Sequence, residues 1–134
     1  MVKPYPAGQL VKDWIAWAAW ATTHRNLKEE NPYGGAFLEL GWLVEHEPET
    51  AWKVILRIFA APGAEPYHGN LAAGPVEDLL SLHGAQFIER IEARAASSPL
   101  FASLLGGVWQ FNMPNSIWHR VQSAAASSDT QHAG

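Results

Sequence analysis

The 134-residue chain contains no cysteine, which excludes disulfides and thiolate metal sites and leaves stability to packing alone. Charge is scarce as well. Asp, Glu, Lys and Arg make up 16% of the residues, against about 25% in an average soluble domain, so much of the surface must be neutral and suited to contact. There is no basic excess either. The net charge is −4, and the Lys and Arg residues are scattered from Lys3 to Arg120, which gives no electrostatic footprint for nucleic acid. No apolar run approaches the ~20 residues that span a bilayer, so neither nucleic acid nor membrane is expected as a partner. The run Trp14 to Ala21 could pass for a targeting segment. It follows two prolines and the opposed pair Lys12 and Asp13 instead of a positive leader, however, and the chain reads as soluble and cytoplasmic.

Catalytic signatures are also missing: the sequence has no H-E-x-x-H, nucleophile elbow or phosphate loop, and no cofactor is expected. Glu45, His46 and Glu47 are adjacent. Neighbours on a helix do not face one another, so they read as a solvated helix end and not a metal site.

What is present is apolar. The hydrophobic content of 48% is ample for one core, and the expectation is a single all-α domain over residues 1–126 with about six or seven helices. A first helix over about 9–24 buries Leu10, Trp14, Trp17, Ala18 and Ala21, leaving Trp20 off the stripe. Residues 36–44 are apolar almost throughout and fit a strand or a helix by pattern; the helical surroundings favour a helix. Pro48 starts a helix over about 48–61 with Trp52, Ile55, Leu56 and Phe59 inward. Residues 61–69 carry Pro62, Gly63, Pro66 and Gly69 and read as a long loop.

Asn70 to Gly84 carries the clearest boundaries. Pro75 fits a first helical position, Glu77 and Asp78 fall where the helix dipole is positive, and Gly84 suits a left-handed C-terminal cap. Helices over about 85–96, from Pro99 and from Asn115 or Ser116 follow, burying Phe87, Ile88, Ile91 and Ala95, then Phe101, Leu104, Leu105 and Val108, then Ile117, Trp118, Val121 and Ala125. Residues 127–134 have nothing to bury and are expected to be a disordered tail. The proline-led starts at 48, 75 and 99 echo HEAT-like stacked hairpins, although any helical domain is punctuated this way.

The segments P-E-T-A-W from Pro48 and L-A-A-G-P-V-E-D-L-L-S-L-H-G from Leu71 resemble a family of small bacterial proteins known only as a domain of unknown function. Gly74, Pro75, Glu77, Asp78, Leu79 and Leu80 carry the resemblance, Val76 standing where the family has leucine. The similarity is expected to run from the first tryptophan helix to about Val121. It implies a compact bacterial helical domain and supplies no activity.

Three functional readings follow. A non-catalytic protein-binding domain, adaptor or immunity/antitoxin-like, would use Trp20, Trp42 or Trp109 beside Arg90 or Arg94, because Trp and Arg anchor interfaces. A small-ligand protein or enzyme would build a carboxylate and histidine pocket from Glu77, Asp78, His83 and His119. A homodimer would pair through the tryptophan helix.

Overall fold

The computed structural model describes the backbone of residues 5–25 and 29–132, and side chains only as far as residue 126. The expected tail over 127–134 lies outside the described side chains. All the described secondary structure is helical, with no strand among the described residues, and the chain divides into two compact units, Met1–Tyr67 and His68–Gly134. Among the described residues no helix is long and apolar enough to cross a membrane.

The first unit packs α1 (Ala7–Thr23), α2 (Gly34–His46) and α3 (Pro48–Ala60) against one another. Pro6 precedes α1 in extended geometry and its carbonyl accepts from Leu10 N–H, so the helix begins two residues before the expected 9. The Tyr5 hydroxyl donates to the Asp13 carboxylate, tying the segment before α1 to its second turn. Burial and this acceptor push the Tyr5 pKa up to about 12. The 36–44 stretch is helical within α2. A single residue, Glu47, separates α2 from α3. Pro48 disfavours helical geometry at the residue before it, and Glu47 sits accordingly at φ −137°, ψ 66° while its carbonyl accepts the first bond of α3 from Ala51.

Two inner faces differ from the periodic expectation. In α1 the buried set is Leu10, Val11, Trp14 and Ala18; Trp17 and Ala21 are only half-buried, because Trp17 lies at the edge, stacked on Phe37 at 4.4 Å between centroids. In α3 the set is Ala51, Trp52, Val54, Ile55 and Ile58, with Leu56 and Phe59 half-buried. That helix is apolar on more than one side, so periodicity admits either stripe, and packing against both α1 and α2 selects this one. The long loop is shorter than expected: Gly63 makes a turn at φ +81°, a single 3₁₀ turn occupies Glu65–Tyr67, and helix resumes at His68.

The second unit comprises α4 (His68–Leu71), a wide π turn (Ala72–Val76), α5 (Glu77–Ser97), α6 (Pro99–Leu105) and α7 (Asn115–His132). Here the proline expectation fails. Pro75 does not start a helix but lies inside the π turn, with helical geometry at Leu71, Val76 and Glu77 on either side. A proline inside an α-helix clashes with the carbonyl four residues earlier; the wider i to i+5 turn makes room for the ring. Glu77 and Asp78 therefore meet no free helix end, and their expected role at the dipole lapses.

Gly84 likewise does not end a helix. The irregularity is one residue earlier, at His83 (φ −135°, ψ 32°), and helix resumes at once as α5. Gly84 is buried, and a Cβ there would meet Ile117 Cγ2 of α7 at 3.1 Å. The glycine is a notch into which α7 packs. Ser98 caps α6, its Oγ accepting from Phe101 N–H at 3.1 Å. The start of α7 is different. Pro114 O accepts from Trp118 N–H, and Asn115 is the first helical residue, its Oδ1 accepting from Gln110 Nε2 at 2.6 Å. The core of the unit joins Leu79, Leu80, Phe87, Ile88 and Ile91 of α5 to Phe101, Leu105 and Val121. Trp118 and Ala125, expected inward on α7, are half-buried, and Ala124 takes the inner position.

Candidate partner-binding surface

Gly106 to Pro114 form an ordered loop between α6 and α7. Successive i to i+3 bonds from Gly106, Gly107 and Val108 N–H to Ser103, Leu104 and Leu105 O wind down the end of α6. Val108 (4% exposed) and Met113 (4% exposed) anchor the loop in the core. Between them the backbone turns outward. Glu77 Oε1 accepts from Trp109 N–H at 2.8 Å, Met113 N–H donates to Gln110 O at 2.7 Å, and Gln110 Nε2 donates to Met113 O. Phe111 heads that turn at φ +38°, a left-handed conformation that is an outlier for a bulky side chain. The loop presents Trp109 and Phe111 to solvent at 74% and 80% exposure.

Two residues drawn from different sequence readings are thus brought together: Glu77, a candidate pocket carboxylate, holds the backbone of Trp109, a candidate interface anchor. Arg90 and Arg94 are exposed further along α5. Thirteen residues of helix, about 20 Å, separate Glu77 from Arg90, so the arginines do not flank Trp109. Arg90 lies instead over the Phe87 ring at 4.7 Å. In the first unit Trp20 is half-buried and stacks on His24 at 3.9 Å. Trp42 is 48% exposed on α2 and stacks on His46 at 4.6 Å.

The carboxylate and histidine residues do not converge. His83 lines a cleft of ≈490 Å³ with Ser81, Gln86, Pro114, Ser116 and Ile117, and neither Glu77, Asp78 nor His119 reaches it. His119 is exposed on α7. The Ser81 hydroxyl is buried beside this cleft without a hydrogen-bond partner. Among the described residues no three His, Asp or Glu side chains gather as a metal site would require.

Asp78 lies on the outer side of α5, yet partial burial of its carboxyl, with the Glu77 carboxylate beside it, raises its pKa above the ordinary value. The folded state therefore binds this proton more readily than the unfolded one, and stability falls as pH rises through the carboxylate range. Asp78→Asn is expected to raise the melting temperature at pH 7, with the gain vanishing at acid pH. Melting curves across pH test this; a gain that persists unchanged into acid would refute the assignment.

Phe111 lies on no helical stripe and in no motif of the sequence. The available signal was an aromatic pair, Trp109 and Phe111, placed in a turn-rich stretch and not on a helical stripe.

No curated protein and no solved structure matches the chain. Residues 23–128 match a family of unknown function, DUF6869. The match begins at the last residue of α1, so the tryptophan helix expected to open the similarity lies before it, and it continues past Val121. It takes in α2 to α6, the aromatic loop and most of α7, and the chain belongs to this family of unknown function.

Proposed function

We propose that the protein is a non-catalytic, protein-binding bacterial domain, adaptor or immunity/antitoxin-like, which engages its partner through Trp109 and Phe111. The observation that carries this reading is a pair of large aromatic side chains, each about three-quarters exposed or more, on a loop that hydrogen bonds and two buried anchors hold in place. Rigid aromatic side chains lose little entropy on binding and supply most of the energy where they enter a partner's pocket. A strained backbone at such a point is where function is first sought. The low charge density suits occlusion of a partner more than steering of a substrate, and a cysteine-free chain is compatible with a reducing cytoplasm.

The test is affinity capture from host lysate with the wild type and with the Trp109→Ala/Phe111→Gly double variant. One stoichiometric partner, lost with the variant while its helical circular dichroism is unchanged, supports the proposal; equal capture by both removes it. Phe111→Gly alone is expected to stabilise the isolated protein by about 0.5–1 kcal/mol, since glycine takes φ +38° without the Cβ clash and little packing is lost at an exposed site. A drop in stability on urea unfolding would contradict that.

A second reading is favoured by the partnerless Ser81 hydroxyl: a small polar ligand held in the cleft beside His83. Ser81→Ala is expected to be neutral or stabilising in the free protein, because it removes a buried unsatisfied group. A metabolite thermal-shift screen in which nothing raises the melting temperature would eliminate this reading.

A further inference from the structure

We infer that α2 is a self-recognition surface, on which a second copy of this chain docks antiparallel about a two-fold axis. Four residues, Gly34, Leu38, Gly41 and Glu45, follow the i, i+4, i+7, i+11 spacing and form one line along the helix. That line faces away from the core residues Ala36, Leu40, Leu43 and Val44. Leu38 is 70% exposed, and a Cβ on Gly41 would meet nothing within 4 Å.

A two-fold axis between positions 39 and 40 exchanges Leu38 with Gly41 and Gly34 with Glu45. Each leucine then seats over the partner's glycine, where helices can approach to the short end of the usual 8–10 Å. Each Glu45 carboxylate reaches the first turn of the partner helix. That turn has no acidic residue and no side-chain cap, so its positive dipole end is complemented. Phe37 and Trp42, 46% and 48% exposed, border the line on opposite sides. Both are preorganised, Phe37 by stacking with Trp17 and Trp42 by stacking with His46.

The partner is specified by what α2 lacks. It carries no Lys or Arg, which an anionic lipid surface or nucleic acid would require, whereas its acidic end and uncapped positive end fit each other. The tryptophan helix α1 is less suited, because Trp14 is buried and Trp17 and Trp20 are only half-exposed.

Sedimentation velocity of the full chain from micromolar to millimolar concentration is expected to show a shift from one mass of 14.7 kDa to twice that value. Leu38→Glu and Gly41→Gln, both at open positions, should each remain monomeric throughout with wild-type helical circular dichroism. Because the chain has no cysteine, an oxidised mixture of Leu38→Cys and Gly41→Cys chains should give mainly the mixed 38–41 disulfide. A wild type that stays monomeric, a dimer that survives both substitutions, or 41–41 links in excess would each overturn the inference.

Discussion

Trp14→Ala is expected to destabilise the protein by about 3–5 kcal/mol, the range for truncating a large buried aromatic, whereas Trp109→Ala should change stability by less than about 0.5 kcal/mol. The substitution is the same and the environments are opposite. Trp14 is 1% exposed on the inner face of α1, tilted against Trp17 at 5.7 Å. Trp109 is 74% exposed, and what holds it is its backbone N–H on Glu77, which alanine keeps. Against a total stability of roughly 5–15 kcal/mol, the first change brings the chain near unfolding. Urea titrations read both; comparable losses would mean that Trp109 is packed and cannot be a free anchor.

Gly84→Val is expected to cost about 2–3 kcal/mol through overpacking, and the reason separates two accounts of this glycine. If position 84 were a left-handed cap, asparagine would serve nearly as well. The backbone there is not left-handed, and the obstacle is Ile117, with Cγ2 and Cγ1 at 3.1 and 3.2 Å from a Cβ. Gly84→Asn should therefore be destabilising too. Combining Gly84→Val with Ile117→Ala should cost less than the sum of the single changes by about 1 kcal/mol, the coupling expected of residues in direct contact. Strict additivity would dissolve the notch account.

The helices were legible where local chemistry decides them. Pro48 sets its own helix start and the geometry of Glu47; Ser98 caps α6; the stripe Phe87, Ile88, Ile91 and Ala95 is buried as its spacing implies. At other positions one local signal has two structural solutions. Pro75 is compatible with a helix start or with a widened turn, and Gly84 with a cap or with a close approach. At Gly84 the choice is made by Ile117, distant in the chain. In α3, apolar on more than one side, the buried stripe is likewise chosen by α1 and α2.

The candidate site was legible only in part. Trp109 and Glu77 each attracted notice for separate reasons, and the bond joining them spans 32 residues, a separation over which no periodicity operates. Phe111 matters through a backbone angle that its identity argues against.

The sequence by itself determined an all-helical chain without disulfides, because hydrophobic periodicity, proline and serine boundaries and residue counts act through nearest neighbours along the chain. Only the tertiary structure decided that α5 runs on through its kink at His83, that Gly84 admits α7, and that Trp109 and Phe111 face solvent on a pinned loop. Each of these depends on segments meeting in space, where steric fit and hydrogen-bond satisfaction select among conformations that local chemistry leaves equally accessible.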